Sequence, residues 1–261
     1  MTNSIALSFS GGGALAAAYL GALREFENRK IPVTHIATHS GATWIFNFLV
    51  NGYTDEEIIK ELSKFRFWKL FDPLGVPRGS FLNFEKLVKY FEKFSTGKDI
   101  SDINKYKLSI SIADVTDCDN PFEVIKTSGS LAKWSAISTI VPPGFPIYME
   151  NGRLYADGGY VTTYSAEHLR SQGCKKIIGL YPDSLKHTKL PPFVKQPLYI
   201  MKTVMGQREK YENANFPIDL EIRGFAIEAG INGFKFSKEL YDAGRARVVE
   251  NLDSIEKLLG N

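Results

Sequence analysis

The stretch IALSFSGGGALAAAYLGAL, residues 5–23, places three consecutive glycines between an apolar run and a segment rich in Ala and Leu. The apolar run, residues 5–10, predicts a short buried strand, and residues 14–30 predict the helix that follows it. Glycines at such a junction leave backbone N–H groups uncovered, and such a place binds phosphate, carboxylate or an oxyanion. Gly11, Gly12 and Gly13 are therefore candidate anion-binding residues, although a tight strand-to-helix turn explains them equally well.

Two other interpretations of this stretch fail on its residues. The loop lacks the Gly-x-x-x-x-Gly-Lys-Ser/Thr spacing of a nucleoside-triphosphate site, and it does not have the spacing of a dinucleotide fingerprint. No Lys or Arg precedes Arg24, and the glycines interrupt the apolar run, so we interpret the stretch as part of the fold and not as a signal peptide. No run of 18 apolar residues is present, and we expect a cytoplasmic or peripherally membrane-associated protein.

The rest of the chain alternates between strand-like and helix-like segments, which predicts an α/β fold with a mainly parallel sheet. No linker or repeat interrupts the pattern, and residues 1–261 are expected to form a single domain. Further strands are predicted at residues 35–38, 107–114, 175–180 and 218–222, and a further helix at about residues 42–50. Thr54, Asn83 and Ser237 are predicted to cap three other helices.

Composition narrows the function only by exclusion. With 44% hydrophobic and 23% charged residues, the chain is an ordinary globular protein and not a disordered or fibrous one. A net charge of +3 is too balanced to indicate a nucleic-acid-binding protein. The two cysteines and four histidines show neither a disulfide framework nor a metal-ligand spacing, and we expect no metal and no cofactor.

A second motif is HIATHSGATWIF, residues 35–46, where a short strand turns abruptly into a helix. Around the serine the sequence reads Thr38-His39-Ser40-Gly41-Ala42, which corresponds to Gly-x-Ser-x-Gly with both outer glycines replaced. A serine on such an elbow exposes its hydroxyl, as a nucleophile must. A serine that merely caps the following helix gives the same pattern.

A third motif is Asp157-Gly158-Gly159, which follows a segment of apolar and proline residues. Considered alone, Asp-Gly-Gly most often marks a turn.

Together and in this order, the three motifs resemble those of the patatin-like lipid acyl hydrolases, and the resemblance extends over most of the chain. It implies a three-layer α/β/α fold and a serine–aspartate dyad, with Ser40 as the nucleophile and Asp157 as its base. It further implies that Gly11, Gly12, Gly13 and Gly41 hold the oxyanion. The activity implied is hydrolysis of carboxylic esters in a phospholipid or lysophospholipid, with a lipid or membrane surface as the partner and no metal.

The sequence departs from the family pattern at three positions. Leu15 and Ala16 stand where Arg or Lys followed by Gly is usual, and Thr38 replaces the first elbow glycine. These departures leave a catalytically impaired lipid-binding or partner-binding relative as one alternative. An acyltransferase of the malonyl-transfer type is another, and a one-residue shift in register would put His39 in the nucleophile's place.

Three further expectations concern side chains outside the motifs. His39 is interpreted as a satisfied or partly exposed elbow histidine, and His168 as a surface residue on a helix. The segment KFRFWKLF, residues 64–71, is interpreted as core plus a solvated face, with contact to a membrane surface as the alternative.

Overall fold

The computed structural model describes residues 4–75, 79–181, 192–225 and 233–260. Within these ranges the strands are β1 Ile5–Ser10, β2 Val33–His39, β3 Lys107–Asp114, β4 Phe122–Lys126, β5 Tyr148–Glu150, β6 Arg153–Asp157, β7 Ile177–Tyr181 and β8 Leu220–Arg223. The α-helices there are α1 Ala16–Asn28, α2 Phe46–Leu49, α3 Asp55–Lys64, α4 Phe84–Ser95, α5 Leu131–Ile137, α6 Ala166–Ser171, α7 Pro192–Asn215, α8 Ser237–Glu250 and α9 Leu252–Leu259.

The strands of the described ranges form one sheet in the order β5-β6-β3-β2-β1-β7-β8, with β4 also paired to β3. The run β3-β2-β1-β7-β8 is parallel throughout. The strands β4, β5 and β6 pair antiparallel, at the β3 side of the sheet. The α/β fold with a mainly parallel sheet is therefore confirmed, and the antiparallel side is an addition that the sequence pattern did not predict.

Helices cover both faces of this sheet. On one face the ring of Tyr19 in α1 stacks on Phe9 of β1, with 4.9 Å between the ring centroids. On the other face Leu169 of α6 packs against Ala6 and Ala37 of the two central strands. The three-layer arrangement implied by the family resemblance is confirmed.

The outer side of α1 is covered by α8, and the two backbones approach very closely. A Cβ added at Gly21 would lie 1.9 Å from the carbonyl oxygen of Tyr241, and one added at Gly244 would lie 1.9 Å from that of Ala18. Each helix thus supplies a glycine where the other helix passes, and no larger residue fits at either crossing.

Two of the three predicted helix caps are confirmed. Thr54 forms a capping box with Glu57, and Asn83 accepts a hydrogen bond from the backbone N–H of Lys86. The prediction for Ser237 is wrong, because Ser237 is already the first residue of α8 and accepts no capping hydrogen bond; its hydroxyl donates to the carbonyl oxygen of Phe234 in the preceding 3-10 turn.

The segment of residues 64–71 divides between core and surface. Phe65 and Leu70 are buried, and Phe65 packs edge-on against Trp44. Trp68 and Phe71, in contrast, are exposed. In the part of the chain that the structure describes, no helix combines the length and the apolar character needed to cross a membrane.

Candidate active site

Ser40 lies at a sharp turn where β2 ends. Its φ of +54° is in the left-handed region, which is uncommon for a residue other than glycine. Its backbone N–H donates to both the carbonyl oxygen and the hydroxyl of Ser138, at 3.0 and 2.9 Å. The next residues, Ser40–Ile45, form a 3-10 helix that continues into α2, so the prediction of one helix over residues 42–50 is wrong in its first turn. Ser40 is only partly buried.

The glycine loop lies directly against this turn. Gly11, Gly12 and Gly13 all have positive φ, at 58°, 117° and 59°. A Cβ added at Gly11 would lie 3.0 Å from the Cβ of Ser40, and one added at Gly41 would lie 2.2 Å from the backbone N of Gly13. At Gly41 glycine is required because backbone meets backbone there, whereas at Gly11 the positive φ and the side chains of Ser40 and His39 favour it. The four glycines predicted to hold an oxyanion are brought together beside Ser40.

All three departures from the family pattern are buried in the protein. Leu15 and Ala16 are fully buried in the main hydrophobic core, directly after the glycine loop. An arginine or lysine at residue 15 would place a charge in that core. Thr38, next to the elbow, is also buried, and its hydroxyl oxygen has no hydrogen-bond partner among the described residues.

Asp157 ends β6 and is fully buried. Its backbone N–H donates to the carbonyl oxygen of Ile140 at 2.9 Å, and its Oδ1 accepts from the N–H of Gly159 at 2.8 Å. The second oxygen, Oδ2, accepts no hydrogen bond shorter than 3.5 Å from the described residues. Burial raises the pKa of this carboxyl to about 7, although the nearby Ser40 hydroxyl and the Gly159 N–H both lower it.

One short segment, residues 138–140, holds both candidate residues in place. Ser138 accepts the backbone N–H of Ser40, and Ile140 accepts that of Asp157. The hydroxyl of Ser138 also donates to the carbonyl oxygen of Ser111 in β3 at 2.7 Å, which ties the segment to the sheet. Sequence reasoning missed this role of Ser138. The one signal was its position just before the proline turn that precedes Asp157.

A second support for the Asp157 loop comes from α7. The buried carboxylate of Glu212 accepts hydrogen bonds from the Thr162 hydroxyl at 2.6 Å and from the Thr163 N–H at 3.1 Å. It also accepts from the N–H of Tyr164 at 3.3 Å. No pattern in the sequence marked Glu212, because its partners lie about fifty residues earlier in the chain.

Two histidines differ from expectation. His39 is neither satisfied nor exposed: it is fully buried, and its Nε2 has no hydrogen-bond partner among the described residues. Burial lowers the pKa of His39 to about 4, so the ring is neutral at physiological pH. The prediction that His168 is a surface residue is also wrong, because it is half-buried and its Nε2 lies 2.9 Å from the Ser109 hydroxyl. His187 lies outside the described residues.

The contact between Gly41 and Gly13 gives a direct test of the loop packing. Gly41→Ala is expected to lower the stability by about 1–3 kcal/mol, because the new methyl group overlaps the backbone of the glycine loop. Gly206→Ala is the matched control, since a Cβ at this α7 position meets nothing within 4 Å, and it should raise stability by about 0.5–1 kcal/mol. Thermal unfolding measures both. Equal melting temperatures for Gly41→Ala and the wild type would contradict the packing described.

Comparison with known proteins identifies relatives. The family model for patatin-like phospholipase matches residues 7–169, which include Ser40, Asp157 and the glycine loop. Lysophospholipase NTE1 of Saccharomyces cerevisiae is 24% identical over 188 residues, which cover 68% of this chain and 11% of that protein. Human patatin-like phospholipase domain-containing protein 6 is 25% identical over 202 residues, which cover 73% of this chain and 14% of that protein. The chain thus spans a small part of the length of these relatives.

A solved structure shares the fold. The crystal structure of VipD from Legionella pneumophila aligns over 97% of this chain and 67% of its own, with a TM-score of 0.50 and 12% sequence identity. At that identity the likeness concerns the fold alone.

Proposed function

Because the chain belongs to the patatin-like phospholipase family, we propose that it hydrolyses carboxylic esters of lipids, with Ser40 as the nucleophile and Asp157 as its base. The observation that supports this most is the proximity of a partly buried elbow serine to a buried carboxyl with one unpartnered oxygen. The names of the relatives, lysophospholipase and phospholipase, favour a phospholipid or lysophospholipid as the substrate.

In the proposed first half-reaction, Asp157 Oδ2 takes the proton of the Ser40 hydroxyl while Oγ attacks the ester carbonyl carbon. The carbonyl oxygen becomes an oxyanion, which the uncovered N–H groups of the glycine loop and Gly41 stabilise; such donors are each worth about 3 kcal/mol of the barrier. The C–O bond then breaks, and Asp157 returns the proton to the departing alcohol. The product is a lyso-lipid or glycerol compound and an acyl ester on Ser40.

In the second half-reaction, water attacks the acyl carbonyl and gives its proton to Asp157. The same N–H groups hold the second oxyanion, and collapse releases the fatty acid as the proton returns to Ser40. No histidine takes part. The neutral His39 packs between Gly11 and Gly158, where it supports both loops.

A fluorophosphonate label tests the nucleophile directly. The wild-type protein should gain one covalent adduct, located by mass spectrometry on the peptide that contains Ser40, and should hydrolyse a short-chain reporter ester. A single adduct on another serine would refute Ser40 as the nucleophile.

The pKa of Asp157 sets an expected pH profile. Burial raises the pKa of this carboxyl to about 7, and the carboxyl must be ionised to accept a proton. The value of kcat/KM should therefore rise with pH and level off above neutrality, and at about pH 5 it should be about 100-fold below the plateau. Initial rates on a short-chain ester measure the profile, with circular dichroism at each pH as the control for folding. A flat profile between about pH 5 and 8 in a folded protein would contradict Asp157 as the base.

A second candidate function is lipid binding without turnover. The observation that favours it is the set of replacements at Leu15, Ala16 and Thr38, two of which directly follow the glycine loop. A wild-type protein that binds lipid but neither labels with fluorophosphonate nor hydrolyses the reporter ester would favour this alternative.

A further inference from the structure

Three large apolar side chains lie outside the core within seven residues of one another. Trp68, Phe71 and Leu74 are exposed to 71%, 49% and 75%, and we call them the Trp68 face. The neighbouring Phe65 and Leu70 are buried. The segment is therefore anchored in the core, and the residues of the Trp68 face project from that anchor into solvent.

Backbone hydrogen bonds fix this segment in place. The N–H of Asp72 donates to the carbonyl oxygen of Phe81 at 2.9 Å, and that of Asn83 donates to Leu70 at 2.8 Å. The carboxylate of Asp72 accepts the N–H of Leu74 at 3.1 Å. The backbone that carries the exposed side chains is thus held by hydrogen bonds to the rest of the protein.

Hydrogen bonds link the segment of the Trp68 face to the segment that holds Asp157. Phe71 forms an isolated antiparallel β-bridge with Leu82. The backbone N–H of Leu82 in turn donates to the carbonyl oxygen of Gly144 at 2.8 Å. Residues 141–144 directly follow Ile140, whose carbonyl oxygen holds the N–H of Asp157. Only residues 141–144 therefore separate Ile140, which holds Asp157, from the carbonyl oxygen that holds Leu82 beside the Trp68 face.

Positive charge is concentrated in the same part of the chain. Residues 64–89 contain six basic and two acidic residues, a net charge of +4, whereas the rest of the chain carries −1. Lys69 and Lys89 are exposed and take part in none of the ion pairs found within the described residues. Lys86 donates to the carbonyl oxygen of Phe71 at 3.0 Å, which places its charge beside the Trp68 face.

We propose that the Trp68 face docks onto a lipid bilayer that carries anionic headgroups. Exposed tryptophan and leucine interleaved with lysine suit the boundary between headgroups and acyl chains, where apolar burial and charge attraction act together. This inference rests on the proposed function, because docking here brings the lipid ester to Ser40. An acidic protein surface would match the charge, but it gives no comparable reason for an indole and a leucine to be this exposed beside a lipid ester site.

The three tryptophans make the docking directly observable. Trp44 and Trp134 are buried, with 0% and 9% exposure, so a change in solvent contact on docking is confined to Trp68. Vesicles of phosphatidylcholine with phosphatidylserine should shift the tryptophan emission of the 261-residue protein to shorter wavelength, whereas vesicles of phosphatidylcholine alone should shift it much less. Trp68→Phe should still sediment with the mixed vesicles but lose the spectral shift.

Matched variants separate charge from apolar contact. Lys69→Gln/Lys89→Gln should weaken binding to the mixed vesicles about 10- to 30-fold, since each lysine near an anionic surface contributes about 1 kcal/mol. Lys30→Gln/Lys257→Gln removes the same charge elsewhere, because Lys30 precedes the N-terminal end of β2, whereas Ser40 follows its C-terminal end, and Lys257 lies on α9. It should bind like the wild type. Trp68→Ala/Leu74→Ser should weaken binding to both kinds of vesicle by at least about tenfold.

A water-soluble short-chain ester separates this inference from the proposed function. All four variants should hydrolyse it at the wild-type rate, because none alters the site around Ser40. Active protein that does not bind vesicles would overturn the docking and favour an acidic protein partner. Equal loss in both lysine double variants, or vesicle binding without a shift in Trp68 emission, would also overturn it. An inactive protein that binds vesicles through Trp68 would uphold the docking and refute the hydrolase.

Discussion

Replacement of Ser40 by alanine is expected to lower turnover of a short-chain ester by about 10⁴-fold or more, the scale on which hydrolases lose activity with their nucleophile. The variant should fold, because Ser40 is held through its backbone N–H, which alanine retains. Steady-state rates measure the effect, and thermal unfolding confirms the fold.

Two controls accompany this variant. Ser171→Ala removes an exposed hydroxyl that donates to the backbone carbonyl oxygen of His168 in α6, and it should leave turnover unchanged. His39→Ala should keep a measurable fraction of activity, because the neutral ring supports the loops without taking part in proton transfer. Loss of turnover in His39→Ala together with normal turnover in Ser40→Ala would mean that His39, and not Ser40, stands in the nucleophile's place.

Asp157→Asn is expected to lower turnover by at least about 10³-fold, because the amide keeps the shape of the side chain but cannot take the proton of Ser40. The amide oxygen can still accept the N–H of Gly159, so the loop should keep its conformation. Near-normal turnover by a folded Asp157→Asn protein would refute the dyad.

The same variant has an expected effect on stability, and its sign follows from the pKa. Burial raises the pKa of Asp157 in the folded protein to about 7, above the ordinary value of 3.8. Ionisation therefore disfavours the folded state as the pH rises from about 4 to 7, and the native protein loses stability over that window. Asp157→Asn should remove this loss. The melting temperature of the variant minus that of the wild type should therefore be larger at about pH 8 than at about pH 5.

Asp114→Asn is the matched control, since Asp114 is also a buried strand-end aspartate. Burial alone would raise the pKa of Asp114, but the donors of Thr116 and the Arg153 guanidinium outweigh it and lower the pKa. Asp114 therefore stabilises the folded protein at neutral pH, and this contribution is lost on acidification. Asp114→Asn should lower the melting temperature at about pH 8, with a far smaller effect on turnover than Asp157→Asn.

The parts of the fold that the sequence predicted well are those where one local pattern decides the outcome. The strands Ile5–Ser10 and Lys107–Asp114 have the bounds expected from continuous apolar character and from period-two alternation. The strand Phe122–Lys126 was missed because its side chains are all partly or fully exposed, so no hydrophobic pattern marks it. The cap at Ser237 is predicted from residue type alone, but the preceding 3-10 turn makes Phe236 the N-cap and Ser237 the first residue of the helix.

The candidate site also contains residues that short motifs predicted and residues that only the tertiary structure shows. Gly41 and Asp157 lie in motifs of a few residues, and the resemblance of the three motifs together to the patatin-like family marks them. Ser138 and Glu212 act through hydrogen bonds to residues about a hundred and about fifty positions away. Such partners depend on the tertiary arrangement, and no short pattern in a single sequence encodes them.

The paired glycines at the crossing of α1 and α8 bear on the order in which the molecule can be assembled. The helix that follows the glycine loop completes its packing only against Ser237–Glu250, more than two hundred residues later in the chain. During synthesis β1 and α1 emerge more than two hundred residues before α8, and this contact cannot close until α8 has followed. Contacts of such long sequence separation slow folding, because the entropy of closing the loop is lost before the contact is gained. The glycine loop, residues 11–13, comes first in sequence among the candidate site residues. It is therefore among the last of them to reach its final surroundings.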